Sequence, residues 1–82
     1  MFSRQTVVIL GFKNKVIEST ANLSIDTTNG RAEKVDLEQI SRRVDSFITY
    51  DNCDSVMVVL GEQMTGYFTC PEKAAKWVER NF

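Results

Sequence analysis

The sequence predicts an α+β fold: one small domain over residues 1–82, with a mainly antiparallel sheet of about four strands and two helices in the order β-β-α-β-β-α. Three observations lead there. Runs rich in Val, Ile and Leu occur at residues 6–12 and 55–61, with apolar side chains at both odd and even positions, the pattern of strands inside a sheet. Two later stretches carry apolar residues at helical spacing, each opening on a residue suited to capping. The connection Gly61-Glu62-Gln63 is short enough to force its flanking strands antiparallel.

In chain order, Thr6-Val7-Val8-Ile9-Leu10-Gly11-Phe12 forms the first strand, and Lys13-Asn14-Lys15 breaks it with a polar turn. Val16-Ile17 either extends that strand past a bulge or opens the next one. Ala21, Leu23 and Ile25 alternate with Asn22, Ser24 and Asp26, which predicts a strand with one wet face in an outer position of the sheet. Thr27-Thr28-Asn29-Gly30 carries the strongest turn signal, leading either into a hairpin or through a loop toward a helix. The helix is marked by Asp36 as cap and Gln39 as its reciprocal partner. Its apolar stripe is Leu37, Ile40, Val44, Phe47 and Ile48, and its end falls near Thr49 or Tyr50. The strand at 55–61 follows as the core of the sheet, and Met64-Thr65-Gly66-Tyr67-Phe68 returns beside it, Gly66 marking a bulge or a close backbone approach. Thr69 and Glu72 fit a second capping box, Pro71 falls in the first turn, and Ala74, Ala75, Val78 and Phe82 face inward with Trp77 at the margin. Both helices then cover one face of the sheet. The apolar second face at residues 7–10 and 56–60 calls for another cover, a partner protein or a homodimer contact.

Composition narrows the function classes. With 82 residues and 43% hydrophobic content, the chain builds one modest core. A net charge of -1, from 10 basic and 11 acidic side chains, argues against a dedicated binder of duplex DNA. From Val44 to Glu72 every charged side chain is acidic (Asp45, Asp51, Asp54, Glu62, Glu72), a bias that suits either solubility or a basic partner. The chain has no histidine, the commonest acid/base group and the usual companion of a catalytic Ser or Cys. Cys53 and Cys70 match no metal-ligand spacing, and Asp51 and Asp54 beside Cys53 raise rather than lower its thiol pKa. The four glycines form no phosphate-cradling pattern. The expectation is a protein without catalytic residues, cofactor or metal site. With no apolar run long enough to span a bilayer and no signal-peptide pattern, the expected setting is the cytoplasm.

The opening Thr6-Val7-Val8-Ile9-Leu10-Gly11-Phe12-Lys13-Asn14, the amphipathic helix and the Cys53-Asp54-Ser55-Val56-Met57-Val58 strand together resemble the small phage-encoded antitoxins of the Dmd and TifA kind. The resemblance spans about the first sixty residues and omits the last strand and helix. It implies a protein that neutralises a host RNA-cleaving toxin or other defence protein by direct binding in the host cytoplasm; the aromatic and basic residues of the chain add RNA as a co-ligand. A small homodimeric or RNA-associated regulatory module is the alternative. Tyr50, Asp51, Asp54, Glu62 and Tyr67 are the expected partner-binding residues, and Phe12, Lys13 and Lys15 the expected RNA contacts.

Overall fold

The computed structural model of the protein describes residues 4–26, 33–61 and 64–81. The elements are β1 (Arg4–Lys13), β2 (Val16–Asp26), α1 (Lys34–Thr49), β3 (Ser55–Leu60), β4 (Met64–Phe68) and α2 (Pro71–Arg80). They follow the predicted β-β-α-β-β-α order. The four strands form one antiparallel sheet in the order β2-β1-β3-β4, so the two strands apolar on both faces are the inner pair and the alternating β2 is an edge.

The β1–β2 connection is a two-residue turn at Asn14 and Lys15, with φ of 53° and 67°. Positive φ at both central positions is the type I′ requirement, and this turn matches the right-handed twist of the strands it joins. Val16-Ile17 therefore opens β2. Phe12 pairs with Ile17 while Gly11 pairs with Ser19, leaving Glu18 as the extra residue of a bulge. The Asn29-Gly30 signal lies outside the described residues.

Alternation separates the two faces of the sheet. Val7 and Ile9 of β1, with Val56, Val58 and Leu60 of β3, are buried beneath the helices with Ile40, Val44 and Phe47 of α1 and Ala74 and Val78 of α2. Burying side chains of this size contributes about 1.5–3 kcal/mol each. Between them, Val8, Leu10, Phe12, Met57 and Val59 are half-buried and point away from the helices. Among the described residues, nothing of this chain covers that second face.

Both helix starts differ from the sequence expectation. α1 begins two residues before Asp36, with Glu33 at the cap position and no side-chain cap bond. The Asp36 carboxylate instead accepts the backbone N–H of Asp26 at 3.0 Å, joining the first turn of α1 to the end of β2. Tertiary bonding has displaced the local cap, though an acid in the first turn still suits the helix dipole. In α2 the cap position is Cys70 rather than Thr69, again without a side-chain cap, and Pro71 opens the helix as expected. Glu72 accepts a hydrogen bond from the Cys70 thiol and so does not complete a capping box with Thr69.

Gly66 is a close approach. A Cβ there would lie 2.7 Å from Phe68 Cε2 and 3.1 Å from Trp77 Cε2. The Phe68 and Trp77 rings, 5.5 Å apart and inclined at 54°, close the side of the core under α2. Phe82, expected to face inward, lies outside the described residues.

Candidate functional site

At one end of the uncovered face, the I′ turn, the end of β1, the start of β3 and the outer strand β4 surround a concavity of about 470 Å³. It is lined by Phe12, Asn14, Lys15, Asp54, Ser55 and Tyr67. Register explains the grouping. Phe12 pairs with Ser55, and Tyr67 pairs with Met57 two residues along β3, so all three positions project from the same face.

Asp54 fixes the rim. Its backbone N–H donates to the Phe12 carbonyl at 2.7 Å, and its carboxylate accepts the Asn14 N–H at 2.9 Å. The second bond holds the I′ turn from the α1–β3 loop and satisfies a backbone donor that a two-residue turn exposes. Asp51 makes a parallel tie by accepting the Ser19 hydroxyl at 2.6 Å. Both carboxylates are exposed, yet each is a fastening between the loop and the β1–β2 hairpin.

Beneath them Cys53 is buried, its N–H donating to the Phe47 carbonyl at 3.0 Å. Burial pushes its thiol above the usual range, and the Asp51 charge adds to the rise. Such a thiol is protonated and poorly nucleophilic at neutral pH. Cys70 is half-buried, and the two thiols are not bonded to each other. The Cys70 thiol, followed by the backbone N–H of Glu72 itself, holds the Glu72 carboxyl below its usual range.

The structure thus unites four of the eight expected site residues, Phe12, Lys15, Asp54 and Tyr67, and mixes the expected protein-contact and RNA-contact sets in one place. Tyr50, 78% exposed, stands beside this loop at the end of α1 but does not line the concavity, and Asp51 and Lys13 are likewise exposed nearby. Glu62 lies outside the described residues. Asn14 and Ser55 were not expected. Positive φ at Asn14 and the pairing of Ser55 with Phe12 bring them in, and only the tolerance of Asn for such φ hinted at either. The concavity is also not the acidic surface that the Val44–Glu72 bias suggested, because the hairpin sets Lys15 beside Asp54. It offers two aromatic rings, one cation, one anion and two small polar groups.

Among the described residues, no helix is long and apolar enough to cross a membrane. No family model matches this chain, and no curated protein or solved structure matches it either.

Proposed function

We propose that this protein is a non-catalytic inhibitor of the phage type, which neutralises a host RNA-cleaving toxin or other defence protein by direct binding. The observation that carries the reading is the concavity itself. It presents Tyr67, 68% exposed, with Phe12 and charges of both signs around the same concavity of the sheet. Exposed aromatic residues set among polar groups are the usual anchors of protein interfaces. The resemblance of the first sixty residues to the phage antitoxins supports the same reading. Because Lys15 offsets Asp54, affinity rests on the aromatic anchors more than on long-range attraction to a basic surface.

The same residues support a second reading, an RNA-associated module. Aromatic rings with an adjacent lysine on an open sheet are the means by which sheets stack and hold single-stranded RNA. Capture from host lysate on the immobilised chain, with and without ribonuclease, separates the two. The inhibitor reading predicts one protein retained after ribonuclease and lost from the Tyr67→Ala chain. Retention that disappears with ribonuclease supports the RNA module, and capture indifferent to Tyr67→Ala contradicts both.

A further inference from the structure

We infer that the outer flank of α2 is a second binding site, for single-stranded RNA, with Trp77 as a stacking platform and Lys73 and Arg80 as phosphate contacts. Phe68 of β4 and Trp77 of α2 form, with Lys73, Lys76 and Arg80, a concavity of about 230 Å³ at the β4 edge of the sheet. Phe68 pairs with the buried Val56 and so points to the helix side, opposite Tyr67. This flank and the concavity around Tyr67 therefore lie on different faces and take different ligands.

The charges of α2 are sorted. Glu72 and Glu79 line the groove between the helices beside Glu38 of α1, while Lys73 and Arg80 line the outer flank, with Lys76 shared by both. Side chains three and four residues apart meet on a helix, so the neighbours of Lys73 and of Arg80 within α2 are the same two, Lys76 and Trp77. Each of these cations thus meets a like charge and a ring. Like charges at that spacing destabilise a helix, and a local rule broken without compensation points to function. Among the described residues, no carboxylate lines the outer-flank concavity.

Charge and rings together select the occupant. An acidic protein segment would answer the cations and leave the rings unused. An anionic membrane would need the apolar face of α2, and Ala74 and Val78 are already in the core. A single strand of RNA carries a phosphate and a flat base in every unit, and its unpaired bases are open to stacking on aromatic side chains. Lys73 and Arg80 stand about 10.5 Å apart along the helix axis. That span matches about three steps of a stacked strand at about 3.4 Å each, which brings a base to Trp77 between the two phosphate contacts. A net charge of -1 suits a contact this short and not a long duplex track.

Trp77 is the only tryptophan of the chain, so quenching of its fluorescence reports stacking at this site alone. Titration of the intact chain with a short oligouridylate at about 50 mM salt should quench it saturably, with a Kd of about 1–100 μM. Raising the salt to about 200 mM should lower the affinity roughly twentyfold for three cation–phosphate contacts, at a log–log slope of about -0.7 per contact. Arg80→Ala, at an exposed position that leaves the core intact, should reduce that fall to roughly sevenfold by removing one contact. Arg42→Ala, which removes the same charge beside Leu23 at the β2 edge, should keep the native salt dependence. Unquenched fluorescence overturns the inference, including the case in which the chain holds RNA through the other concavity alone. So does quenching whose salt dependence Arg80→Ala leaves at the native value. A glutamate-rich peptide that displaces the oligouridylate at lower concentration than unlabelled RNA also overturns it, since the occupant would then be an acidic protein.

Discussion

At the scale of single residues, a glycine with no room for a side chain lies under the candidate site. A Cβ at Gly11 would stand 2.6 Å from Cys53 Sγ and 3.1 Å from Phe47 Cδ2, closer than packed atoms allow. Gly11→Ala is therefore expected to lower stability by about 1–3 kcal/mol, as overpacking does. Cys53→Ala in the same chain should recover part of that loss by removing the sulfur, which paired urea titrations would show as non-additive free energies. Equal, additive losses would mean that the helix and sheet separate freely at this point. Cys53 also makes stability depend on pH. Its folded-state pKa is raised, so the folded chain holds the thiol proton more tightly than the unfolded chain. The contribution is present below the unfolded thiol pKa and is lost as pH rises through the folded value. Stability of the native chain should thus fall more steeply above the ordinary thiol range than that of Cys53→Ala, and parallel pH profiles would contradict this account.

At the scale of elements, the informative one is the β1–β2 hairpin. Lys15 holds a positive φ that glycine adopts without penalty, at a position where Asn-Gly is the favoured pair. Lys15→Gly is expected to raise stability by several tenths to about 1 kcal/mol, the relief of a left-handed residue less the added freedom of the unfolded chain. If the Lys15 side chain serves the concavity, the same substitution should weaken partner capture while strengthening the fold. A variant improved in stability and unchanged in capture would reduce Lys15 to an inherited turn residue. The strands, their succession along the chain and the end of α1 near Thr49 are legible in the sequence, because apolar periodicity reports which residues face the core, whereas the order β2-β1-β3-β4 within the sheet is not. Helix starts were less so. Asp36 and Glu72 look like capping residues, yet each found another donor, the Asp26 N–H and the Cys70 thiol. Such bonds depend on neighbours brought together by folding, and local spacing does not encode them. The same holds for the site. Tyr67 and Asp54 were singled out as polar or aromatic residues near the core strand, but their meeting with Phe12 and Lys15 follows from sheet register and the type I′ turn.

At the scale of the whole molecule, both helices lie on one side of a four-stranded sheet, and the other side ends in a mixed-charge, aromatic concavity. The helix-covered core supplies stability. Ile40→Ala, at a fully buried position, should cost about 2–5 kcal/mol by urea unfolding, a large share of what a domain of this size possesses. The uncovered side is then free to carry recognition. Asp51 and Asp54 join the two roles, since both tie the loop to the hairpin and both present charge. Charge reversal at either would confound the roles, whereas Asp→Asn keeps an acceptor oxygen for Ser19 or Asn14 and removes only the charge.

The most direct measurement is a calorimetric titration of the ribonuclease-resistant partner with the native chain, Tyr67→Ala, Asp54→Asn and, on the helix side, Lys73→Ala. Binding through the concavity predicts a loss of about thirtyfold for Tyr67→Ala, the size of an aromatic anchor, about tenfold for Asp54→Asn, and native affinity for Lys73→Ala. Native affinity for both concavity variants, with the loss falling on Lys73→Ala, would place recognition on the helices and contradict the account.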